Sequence, residues 1–172
     1  MMKPSTALAG ALLGALVVTG SAAFAQDLPG CTTRTVTDPP RTVYDCAGGL
    51  VIELEGPRGA SALSAPPAAP ITMLEMTGGA ALIEVAPGGA GFQIGTPQAI
   101  AAVRGTQFAV TYTDDVTAVF VLEGQVEVAR RGTHESAALS AGDGIELADG
   151  APLEVRQWPQ DKVAALLARF GR

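Results

Sequence analysis

From residue 71 onward, short apolar–polar runs recur about every 8–12 positions, separated by turn residues, which is the texture of strands joined by tight connections. The pattern predicts strands at 71–75, 80–85, 91–94, 99–103, 107–113, 117–122, 125–130, 137–139, 144–147 and 152–156, after an earlier one at 50–55. Breaks fall at Thr77-Gly78-Gly79, Pro87-Gly88-Gly89, Gly95-Thr96-Pro97, Asp114-Asp115, Glu123-Gly124, Arg131-Gly132, Ala141-Gly142-Asp143 and Asp149-Gly150. In 107–113, Phe108, Val110 and Tyr112 share one face, with Gln107, Ala109 and Thr111 on the other. The run Ala118-Val119-Phe120-Val121-Leu122 is apolar on both faces, so it predicts a strand covered on both sides at the middle of the fold. The fold class is all-β, either a β-sandwich or a solenoid-like β-roll, and the pattern leaves that choice open.

Only the tail reads as helix. Val163, Leu166, Leu167 and Phe170 recur at i, i+3, i+4 and i+7, with Pro159 suited to the first turn and Gly171 placed to end it. Asp161 and Arg169 sit at the ends of the helix that favour their charges. A C-terminal amphipathic helix over 158–172 is expected to cap an open edge or end of the β core. The main β domain is expected over 50–157, interrupted by a proline-rich loop at 56–70 with room for one short strand near Ala62-Leu63.

The N-terminus carries a different signal. Lys3, the 12-residue apolar run 7–18 and the small residues of Ala23-Phe24-Ala25 form a secretory signal peptide over 1–25, cut after Ala25. No later run of apolar residues is long enough to span a bilayer as a helix, so the expected product is periplasmic or secreted with no membrane span. Removing Lys3 takes the formal net charge from −6 to −7, which opposes binding to a phosphate backbone. Cys31 and Cys46 then read as one disulfide in an oxidising compartment. They would close a hairpin within 26–49 whose β-branched arms flank Pro39-Pro40. A metal site would need further ligands, and the sole histidine, His134, is far away in sequence. A lipidation box at Leu28-Pro29-Gly30-Cys31 would be separated from the apolar run by Gln26 and Asp27, and would leave Cys46 without a partner.

Candidate chemistry is sparse. His134 sits in Arg130-Arg131-Gly132-Thr133-His134-Glu135-Ser136, which reads as an exposed hairpin tip, not as a catalytic base. Gly88-Gly89-Ala90-Gly91 precedes a strand where a nucleotide loop would precede a helix. Asp143 and Asp149 are too few oxygen ligands for a calcium loop. Paired carboxylates for glycoside chemistry can converge from anywhere in a chain, but aromatics for sugar stacking are few. The expectation is a non-enzymatic protein without cofactor or metal.

The most informative segment runs from Phe92 to Val110. Gly95-Thr96-Pro97 turns the chain, and Arg104-Gly105-Thr106 interrupts two strands with a charge and a flexible residue, predicting a bulge or bend. Arg104 has two readings: it bridges strands, with Glu123 as candidate partner, or it binds an anionic ligand in a groove.

These residues resemble the FecR domain family. The resemblance rests on Thr96-Pro97, on 103–110 with Arg104, Gly105 and Thr106, on 117–128 with Glu123 and Gly124, on Leu139-Ser140-Ala141-Gly142-Asp143, and on 78–85. It spans about 50–147. The better-known members are inner-membrane regulators that receive a signal in the periplasm and control a sigma factor. This chain shows neither their sigma-binding segment nor their spanning helix, nor room for their receptor-docking subdomain. The resemblance therefore implies a stand-alone exported FecR-domain protein. The expected function is an interaction module that binds an envelope protein, with periplasmic signalling as its setting. The alternative is a cell-wall or polysaccharide-binding module with Arg104 near the groove.

Overall fold

In the computed structural model the described residues are 28–56, 63–64 and 70–172. The expected signal peptide and most of the proline-rich loop lie outside them. Alternation becomes strand almost wherever it was found: β1 (Cys31–Thr37), β2 (Pro40–Cys46), β3 (Leu50–Glu55), β4 (Leu63–Ser64), β5 (Met73–Met76), β6 (Gly79–Val85), β7 (Phe92–Gly95), β8 (Ala99–Val103), β9 (Gln107–Thr113), β10 (Val116–Glu123), β11 (Gln125–Arg130), β12 (Ser136–Ser140), β13 (Asp143–Leu147) and β14 (Arg156–Gln157), followed by α1 (Gln160–Ala168).

The strands form an eight-stranded sheet in the order β1-β2-β3-β6-β9-β10-β13-β14 and a six-stranded sheet in the order β12-β11-β8-β7-β5-β4. Both sheets feed one apolar core, in which Tyr44, Ile52, Ile83, Phe108, Val119 and Val121 of the first meet Leu74, Ile94, Ala101, Val126 and Leu139 of the second. The architecture is therefore a β-sandwich, with consecutive strands switching sheets. The N-terminal hairpin is the edge of the larger sheet, because β2 pairs with β3 from Arg41↔Glu55 to Cys46↔Leu50. Cys31 and Cys46 are disulfide-bonded across it.

Strand β10 shows why apolar residues occupy both faces. Val119 and Val121 point into the sandwich. Phe120 points outward and joins Ala80, Leu82 and Ala109 beneath Leu166 and Phe170 of the tail. The helix thus lies across the outer face of the large sheet; it does not cap an edge or an end. The physical reason is the apolar stripe on that face, made by Leu82, Ala109 and Phe120, which needed cover. Ion pairs hold both ends of the helical tail. Lys162 Nζ is 2.8 Å from Glu146, Arg169 Nε is 2.8 Å from Glu55, and Arg172 pairs with Glu53. Of the four stripe residues, Leu166 and Phe170 are buried, Val163 packs partly, and Leu167 is half-exposed. Gly171, with φ +73°, ends the tail as its position suggested.

One predicted strand is largely missing. Within 152–156 only Arg156 pairs, as Gly144↔Arg156, and Asp143↔Gln157 completes that short ladder. Pro152 has no N–H to offer. Arg130 holds the turn away from β13 by donating from Nη1 to the Ala148 carbonyl at 3.1 Å and from Nη2 to that of Ala151. Among the described residues no helix is long and apolar enough to cross a membrane.

Candidate functional site

The residues singled out by sequence separate to opposite ends of the β9–β10 pair. At one end the chain changes sheets twice. Strand β8 ends at Val103 in the six-stranded sheet and β9 starts at Gln107 in the eight-stranded one; β10 ends at Glu123 and β11 starts at Gln125 in the reverse direction. Arg104-Gly105-Thr106 and Gly124 are these two crossings. Thr106 is buried between them, and its backbone exchanges hydrogen bonds with Val85 at 3.0 and 2.9 Å. Its hydroxyl lies 3.0 Å from the Gln125 carbonyl and 3.2 Å from that of Arg104, so it stitches one crossing to the other. Gly124 has φ +83°, and a Cβ there would stand 2.8 Å from the Gly105 carbonyl oxygen. The crossings approach backbone to backbone, which only glycine allows.

Arg104 and Glu123 do not pair. Both are exposed, and among the described residues neither makes an ion pair. A fully solvated pair is worth little, about 0–1 kcal/mol, so nothing drives the two together. The cleft beside them, lined by Glu84, Pro87, Gly105, Thr106 and Glu123, holds about 90 Å³ and does not include Arg104. Small-molecule pockets are several times larger, about 300–1,000 Å³. The anion-groove reading of Arg104 gains no support from this geometry.

Thr96 lies at the other end, in a buried polar network that sequence reasoning did not assemble. Thr117 donates to Gln98 Oε1 at 2.9 Å, so its single proton is committed and Thr96 donates to Thr117 at 2.6 Å. Gln98 donates in turn to the Asp115 carbonyl. The Thr96 hydroxyl also accepts from Ala99 N–H at 3.1 Å. This bolts the β7–β8 turn of one sheet to β10 of the other. Arg131 reinforces it, donating to the Thr96 carbonyl at 2.6 Å and to Glu75 at 2.6 Å across the space that Gly95 leaves open. The available signal was Thr117 itself, a polar residue at the start of a strand apolar on both faces, which had to find a buried partner. Arg130 and Arg131 fold back onto the domain, while His134 stays exposed at the hairpin tip.

Tyr112 donates to Asp115 at 2.9 Å, which raises its phenol above the ordinary range. A groove of about 510 Å³ runs between β13 and the unpaired segment before β14, and is bounded by Trp158, Lys162, Glu146 and Arg156. Its indole stacks on Phe120 at 5.2 Å between ring centroids, and the Lys162 ammonium sits 3.6 Å from the ring centre. Among the described residues there is no group of three or more metal-ligating side chains, and no buried side-chain polar atom lacks a partner.

Residues 59–127 match the family described as FecR protein. That segment is similar to a FecR domain. The match takes in both sheet crossings and the Thr96, Gln98 and Thr117 network, which fasten the two sheets together. Two crystal structures of a candidate anti-sigma factor from Parabacteroides distasonis ATCC 8503, at 1.65 and 2.50 Å resolution, share the fold. Each is 24% identical to this chain. They superpose with TM-scores of 0.59 over 79% of it and 0.60 over 80%. The chain spans 64% of the length of those proteins. No curated protein matches the sequence.

Proposed function

We propose that the protein is a non-enzymatic interaction module of the cell envelope, in which the FecR domain binds another envelope protein within a periplasmic signalling pathway. The FecR match over 59–127 carries this reading. The engagement of Thr96, Gln98, Thr106 and Thr117 in sheet-to-sheet contacts supports it, as does that of Arg131 within the six-stranded sheet, since these polar groups serve architecture. The Cys31–Cys46 bridge suits an oxidising compartment, as does the leader-like pattern of Lys3, 7–18 and Ala23-Phe24-Ala25. The test has two parts. Mass measurement of the periplasmic fraction should find a chain starting at Gln26. Crosslinking in envelope extracts should yield one stoichiometric protein partner; retention on purified peptidoglycan without such a partner would overturn the proposal.

That second result is what a polysaccharide-binding module would give. The groove beside Trp158 is the feature that favours it. The indole, however, is already engaged by Phe120 and Lys162, which leaves little aromatic surface for a sugar ring.

A further inference from the structure

Strand β1 ends the eight-stranded sheet, and among the described residues only β2 pairs with it. Its sequence is Cys-Thr-Thr-Arg-Thr-Val-Thr, seven residues or about 23 Å of extended edge. Thr32, Thr33, Arg34, Thr35 and Thr37 are exposed. The Ala47 N–H donates to the Gly30 carbonyl at 3.2 Å, which sets the phase of the ladder. Counting in twos, Thr32, Arg34 and Val36 turn their backbone groups toward β2, whereas Thr33, Thr35 and Thr37 present theirs to the open side. The disulfide to Cys46 and the full pairing with β2 hold this edge extended before any partner arrives.

An open edge of this length invites another strand, including a second copy of itself. Charge argues against the copy. Arg34 is the only charged residue of β1 and lies at its centre. The one antiparallel register that pairs all seven residues of two copies, with Cys31 opposite Thr37, places Arg34 directly opposite Arg34, a destabilising like-charge pair. The same position favours an incoming strand with a carboxylate at its middle. Arg34 is available for this, because its pairing with Asp45 is long, at 3.5 Å, and both side chains are about half exposed.

We infer that β1 is a docking edge for an extended acidic segment of a partner protein, which adds as a ninth strand and sets a carboxylate against Arg34. This rests on the interaction-module reading above and names its surface. The backbone of Thr33, Thr35 and Thr37 supplies affinity, and Arg34 supplies selection for an acidic segment over a second copy.

The probe is a capped heptapeptide of alternating threonine and valine with glutamate at its centre, compared with a twin carrying lysine there. Both are titrated into the full protein while backbone amide signals are followed by NMR. The shifts are expected at Thr33, Thr35 and Thr37, with the glutamate peptide binding at least about five-fold more tightly. Arg34→Glu should reverse that order. Thr35→Pro, which removes an outward N–H at a position where an edge tolerates proline, should abolish binding while leaving thermal unfolding close to the parent's. Equal affinity for the two peptides, shifts centred elsewhere, or indifference to both variants overturns the inference. So does a dimer of the unmodified protein that Thr35→Pro returns to monomer, since the edge would then serve a second copy. An envelope partner still captured by both variants would refute this edge and leave the interaction-module reading standing. Failure to capture any partner would count against that reading whatever the peptides show.

Discussion

Gly124→Ala tests whether the paired glycines of the FecR segment are there for architecture. The substitution meets two obstacles. At φ +83° an L-residue is strained by about 1–2 kcal/mol. The new Cβ would also stand 2.8 Å from the Gly105 carbonyl oxygen, 3.0 Å from Thr106 Oγ1 and 3.2 Å from Thr106 Cα. Two of these three contacts are backbone of the opposing crossing and cannot swing aside, so overpacking adds about 1–3 kcal/mol. The expected loss is about 2–5 kcal/mol, a large part of the about 5–15 kcal/mol that holds an ordinary domain together. Gly132→Ala supplies the control. Its φ is +73° but nothing lies within 4 Å of the added carbon, so it should lose only the strain. Urea unfolding of both variants, with unchanged m-values, reads the difference directly. If Gly124→Ala unfolds no earlier than Gly132→Ala, the close approach of the two crossings is not what demands glycine, and the architectural account of the motif fails.

Replacing both Cys31 and Cys46 by serine should cost about 3 kcal/mol for the loss of a 15-residue loop closure, read as a lower denaturation midpoint with the circular dichroism of the sheet retained. An unchanged midpoint in oxidising buffer would show that the bridge contributes nothing. Phe120→Ala should cost about 3–5 kcal/mol and shift the fluorescence of Trp158, the only tryptophan, to longer wavelength as its stacking partner disappears. Unaltered emission would mean that the indole does not depend on Phe120 for its cover. The Tyr112 phenol should titrate above the ordinary value of about 10 and move back toward it in Asp115→Asn. A raised phenol holds its proton more tightly in the folded state, so its contribution to stability is present below about pH 10 and is lost as pH rises through the folded value. Absorbance titration of the parent and Asp115→Asn proteins would refute this if the two curves coincide.

How much of this was legible in the chain depends on the range over which each residue acts. Strands 99–103, 107–113, 125–130 and 50–55 have the predicted bounds because alternation is a local property, written in neighbours two apart. The same is true of the Gly171 stop and of the two-faced burial of β10, whose composition already required cover on both sides. The 152–156 segment failed because a distant side chain, that of Arg130, holds the preceding turn off the sheet. No pattern within the segment could reveal that.

The candidate site shows the same division. The sequence by itself marked Arg104-Gly105-Thr106 and Glu123-Gly124 as places where strands are interrupted, since a glycine beside a charge or a small polar residue breaks a ladder wherever it occurs. Only the tertiary structure decided that the two interruptions touch, that Arg104 and Glu123 stay apart in solvent, and that Thr96 belongs at the far end with Gln98 and Thr117. It also decided that the helix lies on a face and not at an edge, because the stripe it covers is assembled from three strands, β6, β9 and β10, which become neighbours only when the sheet forms. Periodicity fixes which side of each element is apolar. Which apolar sides meet is settled by pairing between strands distant in sequence, and that pairing is a property of the whole chain.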